Sequence, residues 1–551
     1  MKIPILSSIL EWILSLVNKI KPPKKPIEYF LPGQMAFLVD GSVDINVSEV
    51  LDWANELATT WSTDHKYEQS VEIIVKRSIS FPIENDGFTL IFTNVTGIKN
   101  SVDLLDLMQY LDNRLEDAKA PSILRALTPN WLASSSSRAG GTGGPGSWPI
   151  EAQPPQGEGW RFQANDRHNN IITFFTSDEI EDDEGDDGDR YGAGVHIAIL
   201  DTMPTKLTMR NAYQEWRWHH QVVNNINELL SNNQVHFQRA DFESLHETVD
   251  ERIIGNPYLM RDHGLFVAGI IHTLAPKATL HLYEVLNPYG VGSLESIFDG
   301  LSRILSDIQS NTIELPLIIN CSFMLVNPPN GTDDPDFPYD RWNSLVDLIE
   351  NGLHLDKVII VAAAGNDNKY NNPHPGRRPS ARYPAAFTNV VGVGALPKGF
   401  TRPQNGMFEA ASYSNLADEH PIDGYMTLGG EAGPRNGVLG MYISDYFPKP
   451  AGFLWRVWSI LTLGRARYGR CYPPKFLWDF IHVKYKPNTT GWAWWAGTSF
   501  AAAIFSGSLA ALYNPGNPPG SATFDAPSIM ADFLQTEKTV DDENVLLVEQ
   551  R

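Results

Sequence analysis

Three rhythms of apolar and polar positions follow one another along this chain. In residues 3–20, IPILSSILEWILSLVNKI, a helical wheel puts Ser7, Ser8, Glu11, Ser15 and Asn18 on one face. Ile5, Leu6, Ile9, Leu10, Ile13, Leu14, Leu16 and Val17 cover the rest. Such a helix lies in a membrane interface, docks in a groove or packs on its own protein. The lysines at 21, 24 and 25 favour an anionic surface. From 34 to 115 the rhythm changes to QMAFLVDG, VSEVLDWANELATTW, SVEIIVKRSIS, FTLIFTNVTG and SVDLLDLMQYLDNRLE. This order of strand, helix, strand, strand and helix predicts a small α+β sandwich of ferredoxin type.

From about 191 the pattern becomes strand, loop, helix. Short apolar strands are predicted at 194–200, 279–286, 315–322, 357–365 and 390–396, with helices such as GSLESIFDGLSRIL and RWNSLVDLIENGLH between or beyond them. Strands apolar on both faces and separated by helices predict a mostly parallel sheet in a three-layer α/β domain. Between the two regions, SSSSRAGGTGGPGSWPIEAQPPQ reads as an exposed linker, and DEIEDDEGDDGDR (178–190) as a solvated acidic loop without the spacing of a calcium-binding hand. After Tyr513 the chain turns to NPGNPPGSA and a polar, acidic tail.

Composition narrows the function. Of 551 residues 43 are basic and 65 acidic, a net charge of −22, which argues against a protein that grips nucleic acid. Cys321 and Cys471 form no CxxC pair and allow one bridge at most. No run of eighteen apolar residues predicts a spanning helix. Glu11 breaks the core a signal peptide needs, and no small-x-small cleavage site precedes Pro26, so an uncleaved signal anchor stands behind the interfacial readings. Residues 440–490 depart from the acidic average. Eight Lys and Arg face only Asp445 and Asp479, among Phe453, Trp455, Trp458, Phe476, Trp478 and Phe480. This segment suits a membrane surface, an acidic partner, the chain's own acidic run, or packing on the α/β domain. His219 and His220 lie in a further stretch, QEWRWHHQVVNNINELL (214–230), and adjacent histidines point apart, which favours surface exposure over a metal site.

Four residues sit where an open parallel sheet presents its chemistry, past the carboxyl ends of strands. Asp201 ends VHIAIL, His263 opens HGLFVAGIIHTLAP, Asn366 ends VIIVAAAGN, and Ser499 lies in AGTSFAAAIFSGSLAALY. Singly, each is equally at home as a cap or a turn residue. Together they supply acyl transfer: a serine hydroxyl needs a base, the base needs a carboxylate to fix its tautomer, and a helix N-terminus with an amide can hold an oxyanion.

With those residues in that order, the chain resembles the subtilisin-like serine proteases (subtilases). LAPKATLHLYEVLNPYGVG (274–292), INCS (319–322), RYPAAFTNVVGVGAL (382–396) and ASYSN (411–415) share the family's look. The resemblance implies that Asp201 orients, His263 is base and then acid, Ser499 attacks, and Asn366 steadies the oxyanion. It also implies that Ser322, Phe323, Met324, Ala364 and Gly365 line the substrate cleft. Departures are Met203 where the family has glycine, Leu265-Phe266 after His263-Gly264, Ala503 for proline, Leu428 in a segment that is usually Ala-Pro-Gly, and Met324 for the glycine against which substrate lies. The sedolisin relatives use Glu and Asp in place of His, and the His263 motif argues against them.

The expected organisation is an amphipathic helix at 1–25, an inhibitory propeptide-like domain at 26–125, and a linker at 126–190. A subtilisin-like α/β domain at 191–515 and a tail at 516–551 complete it. The expected activity is endoproteolysis of protein or peptide substrates by a regulated precursor, against the alternative of a catalytically silent scaffold. The 34–115 unit is otherwise an accessory domain that recruits substrate or partner. No cofactor is required; calcium is common in the family, without ligands traceable here. Family habit implies export, while the Glu11 helix and the missing cleavage site favour a cytoplasmic or membrane-associated protein.

Overall fold

The computed structural model describes residues 30–135, apart from 42–45, 68, 82–86, 116 and 118, then 149–153, 162–165 and 171–174. Beyond these it describes 191–204, 235–238, 260–325, 357–368, 378–399, 407–417, 424–448, 485–513, 524–531 and 544–550, less positions 289, 388, 432, 434 and 445. The helices expected at 3–20, 214–230 and 341–354, the acidic run at 178–190, His219, His220, Cys471 and most of the 440–490 insertion lie outside the described residues.

The first unit is built from strand β1 (Phe30–Asp40), helix α1 (Val47–Asp64), β2 (Glu72–Phe81), β3 (Phe88–Thr96), α2 (Ser101–Asp112) and β4 (Leu124–Ser135). Val50, Trp53, Ala54, Ala58 and Trp61 of α1 are buried at helical spacing, the reason this segment forms a helix on a sheet. The strands pair antiparallel in the order β4-β1-β3-β2, a ferredoxin-like sandwich. Its sixth element is the difference from the sequence reading. The expected boundary at residue 125 falls inside β4, and Leu124–Ser135 closes the sheet beside β1 instead of opening a linker.

The second unit carries an eight-stranded parallel sheet. Its strands are β8 (His196–Asp201), β9 (Val235–Gln238), β10 (Thr279–Glu284), β12 (Leu317–Cys321), β14 (Val358–Ala363), β15 (Val390–Leu396), β16 (Tyr425–Leu428) and β21 (Asn544–Val545). They lie in the order β21-β16-β15-β14-β12-β8-β10-β9. Helices α3 (His263–Leu274) and α5 (Thr498–Leu512), apolar all round and buried, pack on one face with Ile197 and Ile199 of β8. Helix α4 (Leu294–Gln309) covers the other face with Ala198 and Leu200, burying Leu294, Ile297, Phe298, Leu301 and Ile304 at helical spacing. Strand β5 (Ile150–Glu151) pairs with β20 (Trp492–Trp495), and β6 (Phe162–Asn165) with β7 (Ile171–Phe174) and β22 (Val548–Gln550). Parts of the stretches expected as linker and tail are therefore strands of this unit.

The ferredoxin-like sheet docks on α4. Phe81 meets Phe298 edge to face at 5.5 Å. Lys76 Nζ lies 2.6 Å from Glu295 Oε2, and Arg77 pairs with Asp299, which also holds Arg303. A bulge between Val75 and Arg77 sets this up: Ile73 before it is buried, and Arg77, Ile79 and Phe81 after it turn to the opposite face. From β4, Asn130 Oδ1 accepts the Glu295 amide at 3.2 Å, so the first unit caps a helix of the second.

Candidate active site

Asp201, His263, Asn366, Ser499 and Ser322–Met324 meet at the carboxyl ends of β8, β12 and β14, all of them buried. Asp201 is the last residue of β8, and both of its carboxylate oxygens lie 2.8 Å from His263 Nδ1. One of them also accepts the Thr202 amide at 2.6 Å. His263 is the first residue of α3, its ring set edge-on to Trp495 at 5.4 Å. Gly264 makes this approach feasible: a Cβ there would fall on the Thr202 carbonyl oxygen and 3.0 Å from Asp201 Cβ. Gly269 meets nothing within 4 Å, so close approach does not explain that glycine.

Ser499 is the second residue of α5, in the first turn, where the helix carries its positive end. Its hydroxyl donates to the Ser322 carbonyl at 3.3 Å, and Ser322 Oγ donates back to the Ser499 carbonyl at 3.1 Å. Asn366 follows β14, and its Oδ1 accepts from the Thr498 amide at 3.0 Å and from Thr498 Oγ1 at 3.1 Å. That fixes the amide's orientation and leaves Nδ2 as a buried donor without a partner, a group that an arriving oxyanion would satisfy. Ala364 and Gly365 serve this loop. Gly365 has a φ of +113°, donates to Thr498 Oγ1 at 3.2 Å, and has no room for a Cβ beside Asn415 Nδ2 at 2.8 Å.

The cleft holds a strand of this chain. Beyond its pairing with β1, the end of β4 runs antiparallel between β11 (Val291–Ser293) and β13 (Phe323–Leu325). Ser134 lies opposite Val291 on one side and Met324 on the other, and Ser135 lies opposite Phe323. Met324, at the place where the family has glycine, still pairs with an extended strand. The Ser135 amide donates to the Gly290 carbonyl at 2.9 Å, and its Oγ lies 3.0 Å from His263 Nε2.

Three supports were not read from the sequence. Asp262, the N-cap of α3, accepts the amides of Ile443 and Ser444 on one buried oxygen, tying the root of the 440–490 insertion to the His263 helix. Burial pushes its carboxyl up to about 6. Asp367 and Arg382 form a buried pair at 2.8 Å, joined by Asn415, just after Asn366. Arg382 stands in the RYPAA string, the one signal available. Ser135 sits in a serine run that resembles a linker. Burial and then the charge of Asp201 push the Cys321 thiol up to about 12, which removes a thiolate from this end of the sheet. Among the described residues no set of three or more His, Cys, Asp or Glu side chains fits a metal, and no helix is long and apolar enough to cross a membrane.

Among solved structures, the chain is similar to a lanthipeptide protease (17% identity, 62% of this chain and 80% of that one, TM-score 0.34). It is also similar to the prenylagaramide maturation protease PagA (18%, 58% and 76%, TM-score 0.30). A third similarity is to a point mutant of the protease domain of PatA (17%, 59% and 82%, TM-score 0.31). No curated protein matches. Residues 192–536, more than half of the chain, match the model of the subtilase family, and the chain belongs to that family.

Proposed function

We propose that this protein is a serine endopeptidase made as a self-inhibited precursor. Ser499 Oγ attacks the carbonyl carbon of an extended peptide while His263 Nε2 takes its proton and Asp201 holds the imidazole through Nδ1. The oxyanion of the tetrahedral intermediate accepts from Asn366 Nδ2 and the Ser499 amide. Collapse to the acyl-enzyme breaks the C–N bond, with His263 giving its proton to the departing amine. Water, activated by the same imidazole, attacks the ester, restores the Ser499 hydroxyl and releases the second product.

Self-inhibition rests on one observation: β4 occupies the groove between β11 and β13, with Ser135 against His263. An extended substrate needs the same edges. The bonds that follow Ser135, in SSRAGGTGG, are the ones this strand offers to Ser499. Cutting there separates the ferredoxin-like unit from the catalytic one, and the docked unit then leaves by dissociation from α4.

The test is the intact mass of purified protein over time. The wild type is expected to split between residues 135 and 148 while Ser499→Ala stays whole. Splitting of the Ser499→Ala chain at the same place and rate would refute self-processing.

A further inference from the structure

Ser135 is fully buried at the end of β4, between His263 and Gly290. A Cβ built on Gly290 would stand 3.4 Å from Ser135 Cβ and 3.0 Å from Met260 Sδ, so a side chain at position 290 would crowd this subsite. Its polar end meets the catalytic imidazole. His263 Nδ1 faces two carboxylate oxygens of Asp201, so in the neutral imidazole, the form that can take the Ser499 proton, Nδ1 carries the ring N–H and Nε2 presents its lone pair. Ser135 Oγ, 3.0 Å away, therefore donates to Nε2. The Ser499 hydroxyl is turned instead toward the Ser322 carbonyl, at 3.3 Å. The lone pair that must take the Ser499 proton is in use by the very strand that fills the cleft.

We propose that a hydroxyl in this subsite makes a seated strand an inhibitor instead of a substrate, so Ser135 is a specificity-determining residue for the first cut. The inference rests on the protease reading and adds a rule to it: strands carrying serine against His263 are turned over slowly, and strands carrying alanine there quickly. Alanine preserves the backbone pairing of β4 with β11 and β13, because an antiparallel ladder is made by main chain. It removes the hydroxyl's bond to Nε2, and that loss frees Nε2 and should speed cleavage about tenfold.

The experiment compares full-length wild type, Ser135→Ala and Ser135→Cys, each also with Ser499→Ala, by intact mass against time. Melting by circular dichroism checks that the fold is unchanged. Cysteine keeps the shape of serine but donates weakly. The expected result is faster Ser499-dependent splitting, by about tenfold, in both the alanine and the cysteine chains. Wild-type rates in both, with splitting still dependent on Ser499, would overturn the hydroxyl rule and leave the protease reading standing. A fast alanine chain beside a cysteine chain as slow as wild type would assign the effect to filling the subsite, which also overturns the rule. Splitting in none of the three chains would overturn the rule together with the reading on which it rests.

Discussion

Gly264→Ala tests how closely the His263 helix must approach the end of β8. The new methyl would overlap the Thr202 carbonyl oxygen and lie 3.0 Å from Asp201 Cβ, both backbone-anchored positions that cannot swing aside. The Gly264 amide also donates to Thr202 Oγ1 at 3.1 Å, so the first turn of α3 is pinned where the methyl would go. Ordinary contact is restored only if that turn lifts by about 1 Å. Overpacking of this kind costs about 1–3 kcal/mol in stability. The lift also opens the two 2.8 Å contacts between His263 Nδ1 and Asp201. A misplacement of about 1 Å in a catalytic group costs roughly 10²-fold in rate. The assay is the rate of fluorophosphonate labelling of self-processed protein, with circular dichroism to follow the fold. Gly264→Ala is expected to stay folded, melt at lower temperature and label about 10²-fold more slowly. Labelling within twofold of the wild type would refute the claim that the glycine sets the Asp201–His263 distance.

Asn366→Ala is expected to lower turnover of a denatured protein substrate by about 10²–10³-fold, because it removes the only side-chain donor proposed for the oxyanion; an unchanged rate would remove that role. Lys76→Ala with Arg77→Ala severs both ion pairs to α4, and release of the cut N-terminal unit in gel filtration should become easier by about 1–3 kcal/mol, with less dependence on salt. Unchanged release would place the hold elsewhere, on Phe81 and Phe298. Asp262 gives a pH test. Its folded value of about 6 stands above its ordinary 3.8, so the folded state binds this proton more tightly than the unfolded one. Its contribution is whole below about pH 4 and is lost as pH rises through about 6, a change of about 3 kcal/mol at most. Asp262→Asn should therefore gain urea resistance over wild type at pH 8 relative to pH 4, and an equal difference at the two pH values would contradict the assignment.

The places of Asp201, His263, Ser499 and Asn366 in the fold were legible in sequence because each sits near the end of a strand or the start of a helix whose apolar pattern is local and strong. VHIAIL delivers Asp201, VIIVAAAGN delivers Asn366, and the small residues after Ser499 announce a buried helix. The ferredoxin-like order was legible up to α2 for the same reason. Its last strand was not. LRALTPNWLASS carries a proline and two serines and owes its extended form to β1 and to edges about 160 and 190 residues away, at Val291–Ser293 and Phe323–Leu325. Asn130 resembles a turn residue until the helix it caps, at Glu295, is brought beside it. Likewise VLLVEQ near the end of the chain is too short to announce two strands, and becomes them by pairing with β16 and β6. Long-range pairing is what a local pattern cannot carry.

Fluorophosphonate labelling of self-processed wild-type protein, followed by peptide mapping, tests the central claim most directly. The account predicts one labelled residue, Ser499, with no labelling of Ser499→Ala and strongly reduced labelling of His263→Ala. A folded protein that takes no label at Ser499 after its N-terminal unit has been released would contradict it, and would leave a subtilase fold used for binding alone.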